Sequence, residues 1–140
     1  MLLLNPRLVT FASSRWDDIA LIAINREAHK EIVEWSDLGP HVVLADVPEQ
    51  RIEIKVIQEL ARDDITVPHP GDSGELSFHT SPTSTDAGRK KITTEAVILR
   101  VDHELSLKRG ALRTITLIAI SQDGADDPLS ITADEGGGAD

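Results

Sequence analysis

The stretch from Thr93 to Ser121 constrains the fold more than any other. It holds two β-rich runs, Thr93–Leu105 and Ala111–Ser121, joined by Ser106-Leu-Lys-Arg-Gly110. Two such runs around a short polar connection with a glycine predict a long antiparallel hairpin. Strand side chains alternate between faces, so Val97, Leu99, Val101 and Leu105 are expected on one face and Arg100, Asp102 and Glu104 on the other. Ile115 and Leu117 are the expected core partners across the turn. Gly110 supplies the positive φ that the end of the connection needs.

The rest of the chain reads in the same idiom. Leu8–Ala12 is a short strand candidate. Ile19–Ile24 is an unbroken apolar run, expected to form a strand buried on both faces or one whose outer face meets another subunit; a helix from Asp17 to Val33 is the competing reading. Lys30–Trp35 and Val42–Val47 read as two more strands, split by the turn signal Ser36-Asp-Leu-Gly-Pro40, with Pro48 expected to end the second. Arg51–Leu60 alternates: Ile52, Ile54 and Val56 face one way, Glu53, Lys55 and, past a break at Ile57, Glu59 the other. That is the pattern of a half-buried antiparallel strand.

Ala61–Ile92 changes character, with Pro68, Pro70, Gly71, Gly74, Pro82 and Gly88 among many Ser, Thr and Asp residues. Only Glu75–Thr80 reads as a strand there, and Ser84–Lys91 as a short helix capped by Thr85 or Asp86. Loops of this length commonly serve as binding arms. The expected fold class is mainly β: an antiparallel β-sandwich or small barrel with a long extended loop and at most one or two short helices. Residues 1–121 form that domain, with the arm at 61–92, and residues 122–140 form an acidic segment mobile at its end.

Charge narrows the function. The net charge of −10 over 140 residues argues against a surface that grips nucleic acid. Gln122–Asp140 holds six acids and no base. With no tyrosine, two tryptophans and two phenylalanines, a stacking platform for single strands is not expected. There is no cysteine, hence no disulfide framework or thiolate metal site. Met1-Leu-Leu-Leu lacks the basic lead and length of a signal peptide, and no apolar run reaches membrane-spanning length. A soluble protein made in a cytoplasm, with no membrane contact, is the expectation.

The chemistry-bearing residues form no convincing catalytic set. Gly71-Asp-Ser-Gly74 is similar to the nucleophile loop of chymotrypsin-like proteases, but Glu75 stands where that family has a further glycine, and no histidine lies in the family's sequence context. A tight turn before the Glu75 strand is the expectation. His69 and His79 with Asp72 have the ligand types of a zinc site, and ordinary loop histidines are the preferred reading. Asp123-Gly-Ala-Asp-Asp127 lacks the ligand alternation of a calcium loop and reads as a turn. Arg89-Lys-Lys91 is expected to pair with acidic residues of a neighbour. No cofactor, metal or catalysis is expected. Glu53, Glu59, Asp102 and Glu104 lie opposite apolar stripes on good strands. A solvated sheet face is the preferred reading; in the sharper one the face is repeated around a ring and makes a negative wall past which DNA slides without sticking.

This layout resembles the tail tube proteins of tailed bacteriophages, which share a fold with the type VI secretion tube protein. The resemblance rests on Arg51–Leu60 and the Thr93–Ser121 hairpin as tube-forming strands, Ala61–Ile92 as the extended arm and Ser84–Lys91 as the short family helix. It implies a virion structural protein made in the host bacterial cytoplasm. It implies hexameric rings stacked into a hollow tube, with Glu53, Glu59, Asp102 and Glu104 facing the lumen. Val67, His69, Leu76, Phe78, Arg89, Lys90 and Lys91 would lie on the inter-subunit arm. The implied partners are further copies of the chain, tape measure and tail terminator proteins, and DNA passing without specific binding. A related terminator, connector or baseplate component, and a small β-barrel module for a ligand or peptide, are the alternatives.

Overall fold

Alternating apolar residues along four long segments draw the chain into one antiparallel sheet. The computed structural model describes residues 2–4, 6–60, 68–80, 90–106 and 110–133. Its strands are β1 (Leu2–Leu4), β2 (Pro6–Phe11), β3 (Ser14–Arg15), β4 (Ile19–Trp35), β5 (Val42–Leu60), β6 (Ser73–Thr80), β7 (Lys90–Ser106), β8 (Gly110–Ile120) and β9 (Ser130–Ala133). They form a single sheet in the order β1-β4-β5-β8-β7-β6-β2-β3, with β9 paired to β7. The fold is mainly β, as the patterning predicts, and the described residues contain no helix. None of them could therefore cross a membrane as a helix.

The core lies on one face of this sheet. Register aligns Ile24, Ile54, Leu117 and Ile98 in one cross-strand row, and Ile22, Val56, Ile115 and Val101 in the next. Burying each such side chain contributes about 1.5–3 kcal/mol. The sheet curls until β2 contacts β4, bringing Val9 and Phe11 over the core, yet no ladder joins the two strands. The arrangement is thus one curled, unclosed sheet.

The Thr93–Ser121 hairpin forms as β7 and β8, with Ser106 paired to Gly110 and Gly110 at φ 74°. Its face assignment needs correcting in the first half. A register shift between Ile98 and Arg100 leaves Leu99 as an extra residue, so Ile92, Ala96 and Ile98 point inward before it and Val101 after it. Val97 and Leu99 are on the outside. A bulge of this kind reverses the phase of one half of a strand.

Two other expectations change. Lys30–Trp35 does not stand alone but ends a 17-residue β4 that begins at Ile19. Pro48 does not end its strand, because the 19-residue β5 runs on through it. Pro48 stands at a register irregularity, on a part of β5 whose far edge carries no neighbouring strand. A missing N–H is tolerated in such a place.

The same pairing creates a projecting arm. β1 pairs with β4 only at Ile22–Ile24, and β8 pairs with β5 only from Glu53 to Leu60. Beyond these points, among the described residues, β4 and β5 pair only with each other, out to Trp35 and Val42. Residues 27–50 therefore make a two-stranded ribbon leaving one end of the sheet.

The arm expected at 61–92 is not what the described part of that stretch builds. β6 lies between β7 and β2 and pairs with β7 from Ser73↔Val97 to Thr80↔Lys90. Leu76 and Phe78 are 0% exposed and belong to the core, because their positions alternate inward across from Thr94 and Ile92. Val67, Arg89 and most of the expected helix lie outside the described residues; Lys90 and Lys91 open β7 as strand residues. In the acidic segment, Leu129 is buried and β9 continues along β7 where β8 leaves off. Ser121–Leu129 loops out between them, opposite Thr94.

Candidate functional site

Three surfaces carry chemistry: the outer face of the sheet, a cavity at one end, and the arm at the other. The outer face is defined by register. Glu53 pairs with Ile118, Glu59 with Leu112, Asp102 with Thr114 and Glu104 with Leu112. All four predicted acidic residues therefore share one face, and Glu59 and Glu104 flank Leu112 from opposite strands. Arg51 lies 3.4 Å from Glu27 and 3.1 Å from Glu53, and Arg100 lies 2.8 Å from Asp102. These pairs are partly or largely exposed and each contributes about 0–1 kcal/mol. Glu59 and Glu104 are exposed members of a face rich in carboxylates.

The cavity, of about 730 Å³, opens where the curled sheet ends near Trp16, Leu60 and Pro68. Its floor is polar. Gln58, Arg113 and His103 stand side by side on the core face by register. Arg113, 6% exposed, donates from Nη1 to Gln58 Oε1 at 3.2 Å and from Nε to His103 Nε2 at 3.1 Å. Gln58 Nε2 donates to the Asp17 carbonyl at 2.8 Å. Phe11 and Trp16 stack along the wall with centroids 5.0 Å apart.

A strained turn borders this cavity. Ala12 and Ser13 join β2 to β3 with φ of 51° and 68°, where glycine or asparagine is usual. The Ala12 N–H donates to Glu75 O at 3.0 Å. Gly74 lies so close that a Cβ there would meet Ala12 Cβ at 2.6 Å. A side chain at position 74 would push the turn off β6.

Gly71-Asp-Ser-Gly74 forms the turn that leads into β6. Gly71, at φ 95°, donates to Ile98 O at 2.7 Å, and Ile98 N–H donates to Asp72 O at 2.8 Å. The His69 N–H donates to Asp72 Oδ2 at 2.9 Å, and Ser73 opens β6 opposite Val97. His69 sits in this turn while His79 sits near the far end of β6 beside Lys91. Among the described residues, no three His, Asp or Glu side chains gather as a metal site.

The acidic turn after β8 is also structural. Asp123 Oδ1 accepts from the N–H groups of Asp126 at 3.0 Å and Ala125 at 2.9 Å and from Ser121 Oγ at 3.0 Å. These bonds, Asp126 first, hold its carboxyl far below the usual range. Burial pushes the Asp127 carboxyl up, but the Leu129 N–H bond and Arg26 outweigh it, and its pKa falls below the ordinary value. The Arg26–Asp127 pair, 3.0 Å apart, ties this turn to the base of the arm.

The arm is the surface that reading by segments missed. Of twelve large hydrophobic residues exposed among the described residues, seven lie within 32–47: Ile32, Trp35, Leu38, Val42, Val43, Leu44 and Val47. Trp35 is 59% and Leu38 97% exposed. Val33 pairs with Ala45 on one ribbon face; Ile32, Glu34, Leu44 and Asp46 share the other. The signal was present as two β-runs flanking Ser36-Asp-Leu-Gly-Pro40, which is itself a hairpin pattern.

No protein-family model matches the chain, and no curated protein matches it in sequence.

Proposed function

We propose that this chain is a structural subunit that assembles with copies of itself, of the kind that builds the tail tube of a tailed bacteriophage. The observation that carries the reading is the arm: a ribbon leaving one end of the sheet and holding most of the large apolar side chains exposed among the described residues. Apolar surface gathered in one patch marks an interaction site, whereas scattered exposed residues do not. In this reading hexameric rings stack into a tube that forms part of a virion tail, alongside tape measure and tail terminator proteins. The face bearing Glu53, Glu59, Asp102 and Glu104 lines the lumen, where carboxylates repel phosphate and let DNA pass. A single ring of a terminator or connector rests on the same arm and differs in not extending into tubes.

Negative-stain microscopy and sedimentation of the purified chain test this directly. Rings or tubes are expected; a strict monomer at high concentration overturns it. A second reading, a ligand- or peptide-binding module, is favoured by the cavity with its stacked Phe11 and Trp16 and its polar floor. A thermal shift with small ligands that is lost on Trp16→Ala would move the conclusion there.

A further inference from the structure

The arm's charge says what it meets. Residues 27–50 contain Glu27, Glu31, Glu34, Asp37, Asp46 and Glu49 against Lys30 alone. These 24 residues thus carry half of the net charge of −10. An isolated two-stranded ribbon is at best marginally stable in water, and this one adds two open edges and a row of exposed apolar side chains. It calls for a partner. Packing arm against arm would set two such acidic elements face to face, which like-charge repulsion disfavours.

A complementary surface exists elsewhere on the same chain. Lys90 and Lys91, both exposed, open β7, where it pairs with β6 on one side and β9 on the other. Ile131 of β9, 48% exposed, pairs with Ile92 and so lies diagonally beside Lys90 on one face. That corner offers Ile131 next to Lys90 on one face, with Lys91 pointing to the other. One face of the arm offers Ile32 and Leu44 next to Glu34 and Asp46. Among the described residues, β4 and β5 share no ladder with β7 or β9 of their own chain.

We infer that the acidic, apolar face of the β4–β5 arm docks on the Lys90 and Ile131 side of this corner in a second copy of the chain, with Lys91 adding positive charge from the opposite face. Repeated head to tail, this contact closes rings or extends filaments, as the self-assembly reading requires; exchanged reciprocally, it closes a two-fold dimer. This inference rests on the self-assembly reading above and names its surface.

A charge-swap series tests it by sedimentation at matched concentration, with circular dichroism as the check on folding. Glu34→Lys with Asp46→Lys, and separately Lys90→Glu with Lys91→Glu, are each expected to weaken association at least tenfold. All four substitutions in one chain are expected to restore it. Wild-type association in either double variant, or no recovery in the folded quadruple variant, overturns the contact while leaving self-assembly standing. A wild-type chain that stays monomeric overturns both.

Discussion

Phe78→Ala separates two views of the stretch from Ser73 to Thr80. As part of an extended arm, Phe78 would be dispensable for the fold. In the structure it is fully buried on β6, opposite Ile92 and within the core cluster of Leu76, Ile98 and Leu117. Removing a buried phenylalanine costs about 3–5 kcal/mol, from the lost transfer free energy and the cavity left behind. Domains of this size are stable by only about 5–15 kcal/mol in total. Each kcal/mol lowers the melting temperature by about 2–4 °C near 150 residues, so a fall on the order of 10–15 °C is expected. Urea unfolding at low protein concentration is the assay, because self-association would otherwise add a concentration-dependent term. The midpoint should fall with the slope unchanged. Leu38→Ala, at the exposed arm tip, is the control and should stay within about 0.5 kcal/mol of wild type. A Phe78→Ala loss below about 1 kcal/mol would refute the placement of β6 in the core.

Three further outcomes follow from the geometry. Gly74→Ala should cost about 1–3 kcal/mol, because its new Cβ meets Ala12; Ala12→Gly in the same chain should recover part of the loss in thermal unfolding, and no recovery would show that the clash is not the cause. Arg113→Ala breaks the bonds to Gln58 and His103 and should destabilise by about 1–3 kcal/mol in urea unfolding, with a neutral result counting against the network. Asp123→Ala should speed hydrogen exchange at Ala125 and Asp126, whose N–H groups it accepts. The folded carboxyl titrates below its ordinary value of 3.8, so its stabilisation of the turn is present above that value and lost only as pH falls further; exchange at those amides that accelerates already between pH 5 and about 4 would refute the assignment.

How much the chain revealed depended on whether the information was local. Arg51–Val56 kept a strict alternation, and its inward residues Ile52, Ile54 and Val56 are all buried. The four outer acids share a face because alternation fixes it, with the bulge at Leu99 restoring the phase that Asp102 and Glu104 required. The same bulge misled the reading of Val97 and Leu99, since an inserted residue leaves no mark in a run of Val, Ile and Leu. Leu76 and Phe78 were misread because the Pro and Gly residues around them are loop signals, while their burial comes from β7 and β2, distant in sequence. The buried Arg113 with Gln58 and His103 was not foreseen because three residues from three strands meet only once register is fixed. The arm escaped for a related reason: each strand was legible, but what left them without neighbours was where β1 and β8 stop pairing.

The interruption between β8 and β9 has a practical consequence. Ile120 sits opposite Glu95 and Ser130 opposite Thr93, so both ends of the Ser121–Leu129 loop are pinned to one strand a short distance apart. Lengthening a loop whose ends are already fixed adds little closure entropy, about 0.6 kcal/mol for each doubling. Gly124 is at the exposed outer part of this loop, with nothing near the position of its missing Cβ. A short epitope or fluorophore-binding peptide spliced in after Gly124 would therefore ride outside the sheet, breaking the bonds Asp123 accepts from Ala125 and Asp126 but giving the chain a handle that leaves core and cavity in place.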